Sequence, residues 1–236
     1  VLHPKRWNRY KAAECIRREY GIDRGVKITL QKNIPIAAGM AGGSTDAAAV
    51  LVGVNRMFDL GFTKKELMER GVKLGADVPY CIMRGTALSE GIGEILTELP
   101  APPQCHLVIA KPQISVSTKA VYGKLRVNEL APEEHPDIDG MMAAIKNGDL
   151  DGVIERLGNV LETVTVPDHP EIARIKEMMM ENGACGSLMS GSGPTVFGIY
   201  KDKELAEKAC QALREADGGR LTRQVYLTEF YNRKKA

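Results

Sequence analysis

Aromatic side chains are scarce in this chain: 7 Tyr, 4 Phe and 1 Trp among 236 residues. That is too few for the stacking surface with which proteins read single-stranded RNA. An excess of one charge is also missing. The 32 basic and 30 acidic residues nearly cancel, leaving a formal charge of +2. No broad field therefore draws the chain to nucleic acid or to a membrane surface, and neither is expected as a partner. No apolar run approaches the length of a membrane span, and no secretory signal is read. The five cysteines, at 15, 81, 105, 185 and 210, form no Cys-x-x-Cys pair and are odd in number. They read as buried thiols in a reducing cytoplasm, not as a disulfide frame or a zinc site. The four histidines, at 3, 106, 135 and 169, lack metal-ligand spacing, so no metal-ligating residue is named.

What is present is the balance of an ordinary globular protein, 44% hydrophobic and 26% charged. Apolar spacing predicts a helix over 8–20, and alternation predicts a half-buried strand over Val26–Gln31 closed by Pro35. Asp46 to Leu60 is apolar almost all round and predicts a central, buried helix. Thr63 should cap a helix over 64–74, and Gly75-Ala76-Asp77-Val78-Pro79 should turn. Strands are expected at 86–88, 95–99, 105–110 and 224–227, and on both sides of Ser190-Gly191-Ser192-Gly193-Pro194. Helices are expected over 117–125, from Pro170 to Gly183, and over 203–214, with an exposed loop at 131–139. Ala101-Pro102-Pro103 is the linker candidate, dividing the chain into 1–103 and 104–236. The second half reads as helices covering one face of a mostly antiparallel sheet, an α+β arrangement.

The segment with the most chemistry is Pro35-Ile36-Ala37-Ala38-Gly39-Met40-Ala41-Gly42-Gly43-Ser44-Thr45, running straight into the long apolar helix. A helix start offers unpaired N–H groups and partial positive charge, and glycines let the backbone approach an anion. Ser44 and Thr45 could cap the helix or reach phosphate and Mg²⁺. No lysine follows the last glycine, so this is not a Walker A loop, and the spacing is not that of a dinucleotide fold. A plain glycine-rich turn is the structural alternative. Asp77 could receive a hydroxyl proton in phosphoryl transfer or simply cap a turn. Ser190, Gly191, Ser192 and Gly193 could form a tight hairpin turn or lie against a ligand. His106 and His169 read as structural, Met178–Met180 as core, and Arg233-Lys234-Lys235 as a solvated tail.

Taken together, Lys32–Ala49, Leu74–Pro79 and Met189–Phe197 resemble the GHMP kinase superfamily, in that family's order. The resemblance covers about residue 8 to about 230. It implies an N-terminal domain like ribosomal protein S5 domain 2 and a C-terminal ferredoxin-like domain. It also implies ATP phosphates on residues 35–45, Mg²⁺, Asp77 as catalytic aspartate, and Ser190–Gly193 supporting the phosphate loop or substrate. Gly42–Asp46, Gly75–Pro79 and Glu90-Gly91-Ile92-Gly93-Glu94 point within the family to a cytidine diphosphate-linked methylerythritol as the small-molecule substrate. The reaction implied is phosphorylation of its 2-hydroxyl, a step towards isoprenoids. A homoserine or mevalonate type of kinase, and a non-catalytic nucleotide-binding form, are the alternatives. The family's opening Ala-Lys-Ile-Asn strand and its Gly-Tyr-His segment have no counterpart here, so the first strands of the N-terminal domain are expected to be lacking. An open sheet edge would favour a homodimer.

Overall fold

The computed structural model describes residues 7–35 and 37–231; the predicted 233–235 tail lies outside them. The chain forms two compact units, one running through Glu98 and the other comprising Ala37–Met40 with everything from Leu99 onward.

The first unit opens with α1 (Trp7–Glu19), α2 (Gly42–Met57), α3 (Lys64–Val72) and α4 (Val78–Met83), followed by β1 (Thr86–Glu90) and β2 (Ile95–Leu99), which pair in a two-stranded sheet. Small residues let α1 and α2 approach closely. Ala12, Ala13 and Ile16 meet Ala47, Ala48, Leu51 and Val54 in one apolar cluster with Leu67, Val78 and Ile82. Thr63 caps α3 as expected, its hydroxyl accepting the Glu66 N–H while Glu66 accepts the Thr63 N–H. Two expectations fail here. Residues 26–31 belong to neither sheet, and Ile28 and Leu30 are exposed. Alternation marks a segment able to pair, but a strand exists only where a neighbour completes its ladder. The second failure is α2, which is buried along one stripe rather than all round. Ala49 and Gly53 are exposed, and Val50 and Val52 are only half-buried. Its apolar content exceeds the surface that neighbours among the described residues cover.

The second unit contains β3 (His106–Pro112), α5 (Thr118–Lys124), α6 (Ile138–Asn147), α7 (Leu150–Glu155), α8 (Glu162–Asp168), α9 (Pro170–Glu181), β4 (Gly186–Met189), β5 (Val196–Tyr200), α10 (Lys203–Glu215) and β6 (Thr222–Glu229). Its strands form an antiparallel sheet in the order β4-β5-β3-β6. This is the β-α-β-β-α-β topology of a ferredoxin-like α+β fold, with α5–α8 added before α9. Period-2 alternation sorts the side chains. Val108, Ala110, Val196 and Tyr200 face α9 and α10, meeting Ile172, Ile175, Met179, Ala206, Ala209 and Leu213. Leu107, Phe197 and Ile199 face the other way and pack with Leu150, Ile154 and Leu157. The expectation of helices on one face only is therefore corrected: α7, with Leu157 just beyond it, covers part of the second face. The 131–139 stretch holds a short 3-10 turn at Pro132–Glu134 and the start of α6. Met178 and Met179 are core, whereas Met180 is half exposed. No helix among the described residues is long and apolar enough to cross a membrane.

All five cysteines are free; Cys105 and Cys210 are buried, Cys15 and Cys81 half-buried, and Cys185 exposed. The all-buried reading is thus wrong at Cys185, which sits just before an edge strand. Burial, with smaller contributions from Cys185 and Glu229, pushes the Cys105 thiol up to about 11 from an ordinary 9.0. An unfolded Cys105 ionises first, so its contribution to stability is intact below pH 9 and is lost as pH rises towards 11. At 1.36 kcal/mol per unit this amounts to about 2–3 kcal/mol. Urea unfolding from pH 8 to 11 should show that decline, and Cys105→Ala should flatten it. An Ellman titration of the folded protein should find Cys185 first.

Candidate active site

The start of α2 is unusual in its chemistry. Ala41 occupies the N-cap position in a left-handed conformation (φ 47°, ψ 23°), and no side chain caps the helix. A structural helix start is normally capped by Ser, Thr, Asp or Asn. Here an alanine leaves the first-turn N–H groups of Gly42, Gly43 and Ser44 without a side-chain cap among the described residues. The Thr45 hydroxyl donates back to the Ala41 carbonyl at 3.1 Å. Lys32 lies beside this turn, its Nζ donating to the Gly42 carbonyl at 2.6 Å and to Asp46 Oδ2 at 2.9 Å. A Cβ on Gly42 would stand 3.1 Å from both Lys32 Nζ and Ile34 Cγ2.

Asp77 precedes α4 in the same unit. It sits at the N-cap position, yet its side chain makes no cap hydrogen bond. The turn-capping alternative is therefore not realised, and the exposed carboxylate stays available. One turn further along, about 5–6 Å, Cys81 Sγ lies 3.5 Å from Thr45 Oγ1. This contact brings α4 against the first turn of α2. The β1–β2 turn closes in as well: a Cβ on Gly93 would stand 3.9 Å from Ala76 and 4.0 Å from Asp77 Oδ1. Asp77, the α2 start and the Glu90–Glu94 turn are thus neighbours within one unit, though separated in sequence. Among the described residues no group of three His, Cys, Asp or Glu is arranged to hold a metal ion.

The second unit places the other half of the loop. Ile36 lies outside the described residues. Pro35 and Ala38 are buried, while Ala37 and Gly39 adopt positive φ of 53° and 68°. The Ser190–Gly193 segment is the β4–β5 turn, with the Gly193 N–H bonded to the Ser190 carbonyl at 3.0 Å. The Ser190 hydroxyl donates to the Gly39 carbonyl at 2.8 Å. The approach is so close that a Cβ on Gly39 would fall 2.2 Å from the Ser190 carbonyl oxygen. Ser192 is buried, its hydroxyl 2.8 Å from that of Thr118. Residues the sequence did not reveal hold this turn from below. Asn159 donates to the carbonyls of Met189 and Gly191, Glu162 accepts the Met189 N–H, and Thr165 donates to the Ser192 carbonyl. No turn or periodicity signal flagged 140–167, so nothing pointed to them.

Two halves of one protein class match this chain: the GHMP kinases N terminal domain over residues 8–85 and the GHMP kinases C terminal domain over 141–218. The chain belongs to the GHMP kinases. Within that family, the 4-diphosphocytidyl-2-C-methyl-D-erythritol kinase of Lachnospira eligens is 54% identical over 222 residues, covering 94% of this chain and 75% of that protein. A crystal structure of 4-(cytidine 5'-diphospho)-2C-methyl-D-erythritol kinase superposes with a TM-score of 0.79 at 29% identity, over 97% of this chain and 80% of that one. The homoserine kinase of Cytophaga hutchinsonii gives a TM-score of 0.80 at 21% identity, over 94% of this chain and 75% of that one. That second likeness is one of fold.

Proposed function

We propose that this protein transfers a phosphoryl group from ATP to the 2-hydroxyl of 4-diphosphocytidyl-2-C-methyl-D-erythritol, in isoprenoid synthesis. The observation that carries the substrate is the 54% identity to a kinase of that name across nearly the whole chain. The local geometry supports the nucleotide half. An uncapped, glycine-rich helix start is suited to the triphosphate, and residues 35–45 would cradle it, with their backbone N–H groups as donors. Asp77, free of any capping duty, would orient the hydroxyl and take its proton as the oxygen attacks the γ-phosphorus and ADP leaves. Ser190, Gly191, Ser192 and Gly193 would support the loop at Gly39. Bound Mg²⁺ supplies charge neutralisation on the phosphates. The Ser44 and Thr45 hydroxyls at the start of α2 are the protein oxygens that could reach it. We place the join between the two kinase domains at residues 103 and 104, and a cytoplasmic homodimer as the working form.

A coupled assay for ADP release, run with the cytidine substrate, homoserine and mevalonate in parallel, tests the reading. Turnover is expected with the cytidine substrate alone. Turnover with either of the other alcohols and not with it would overturn the substrate assignment.

A further inference from the structure

We propose that Asn159 is a positioning residue for the nucleotide loop, acting through Ser190 on Gly39. Among the described residues its side chain makes no hydrogen bond to the loop itself. Asn159 lies between α7 and α8, and its side-chain amide is engaged at both ends. Nδ2 donates to the Met189 carbonyl at 2.9 Å and to the Gly191 carbonyl at 2.8 Å, and Oδ1 accepts the Leu161 N–H at 3.0 Å. An amide has two donor hydrogens, and both are spent on the carbonyls that flank Ser190. Glu162 adds a third point, accepting the Met189 N–H at 2.7 Å, and is itself held by Lys176 at 2.5 Å.

These three contacts act where the β-ladder stops, since β4 ends at Met189 and β5 resumes at Val196. A six-residue connection with two glycines among its first four residues would otherwise have wide backbone freedom. Asn159 removes that freedom at the one residue whose hydroxyl reaches Gly39, at 2.8 Å. The Ser190 carbonyl oxygen is the atom that a Cβ on Gly39 would meet first. The order of action is therefore Asn159, then the two carbonyls, then Ser190, then Gly39, all within one compact unit.

The inference rests on the nucleotide reading of the loop, so the first measurement separates the two. ATP is titrated into the unaltered protein by calorimetry; failure to bind there refutes the nucleotide reading itself. Asn159→Asp keeps size and shape but replaces both donors with an oxygen that repels the two carbonyls. With hydrogen bonds to fixed groups lost, KM for ATP should rise about tenfold or more. Both kcat and KM for the alcohol should stay within about twofold, since neither the proton acceptor nor the alcohol site is touched. Ser190→Ala removes only the link to Gly39 and should raise KM for ATP by itself. In that background Asn159→Asp should add less than about twofold, because residues acting in series are not additive. Multiplicative effects, an equal loss in both substrates, or an unchanged ATP KM in Ser190→Ala would each overturn the role. The last holds even if Asn159→Asp does not fold.

Discussion

Gly39→Ala is expected to abolish measurable nucleotide binding, or to weaken it by at least about a hundredfold. The new methyl would meet the Ser190 carbonyl oxygen at 2.2 Å, the Gly193 carbonyl oxygen at 3.0 Å and the Gly193 nitrogen at 3.2 Å. All three are backbone atoms, so no side chain can rotate away. The position also requires φ of 68°, which costs an L-residue about 1–2 kcal/mol. Overpacking adds about 1–3 kcal/mol. Relief can come only by moving the loop off the 190–193 turn, which displaces the groups proposed to meet phosphate. Calorimetric titration with ATP reads the effect directly. The control is Gly53→Ala, in the exposed middle of α2 with nothing within 4 Å of the new methyl. That change should stabilise by about 0.5–1 kcal/mol, because alanine is the better helix former, and leave ATP affinity unaltered. Equal behaviour of the two variants would remove the argument from close approach.

Asp77→Asn should lower kcat by about 10²–10⁴-fold, the usual worth of a positioned proton acceptor. Affinity for ATP should hold within about threefold, since the proposed triphosphate cradle is backbone. Stability should hold within about 0.5 kcal/mol, as for other exposed substitutions without a special role. This last expectation follows from the structure: Asp77 occupies the N-cap position of α4 without making a cap hydrogen bond. A capping aspartate would instead lose about 1 kcal/mol on replacement by a non-capping residue. Because asparagine caps as well as aspartate, the thermal melt that separates the two cases is run on Asp77→Ala, which should also hold within about 0.5 kcal/mol, while single-turnover kinetics read Asp77→Asn. Surviving turnover would sink the assigned role of Asp77.

Much of the architecture was legible in the residues. Thr63 marked a helix cap, Ser117 and Pro170 marked helix starts, and the glycine turns at 91–93 and 191–193 marked the two hairpins. These signals are local: the groups that bond are three or four residues apart, so sequence spacing states the geometry. The strand expected at 26–31 shows the opposite case. Its alternation is real, but the hydrogen bonds of a strand belong to its neighbour, and period alone cannot supply one. The all-round apolar face of α2 fails for the same reason, because burial depends on what else arrives.

By itself the sequence determined the class of protein and the chemistry of its loop. Glycines at 39, 42 and 43 with no lysine after them, an aspartate between Ala76 and Val78, and the Ser-Gly-Ser-Gly turn define a kinase of one family whatever their arrangement in space. Only the tertiary structure decided which glycine is irreplaceable and what holds it. The Ser190 hydroxyl and the Gly39 carbonyl are 151 residues apart, and Asn159 reaches Gly191 across 32. Such contacts exist only after folding places the segments together, and no local pattern of residues encodes a bond whose partner lies in another element.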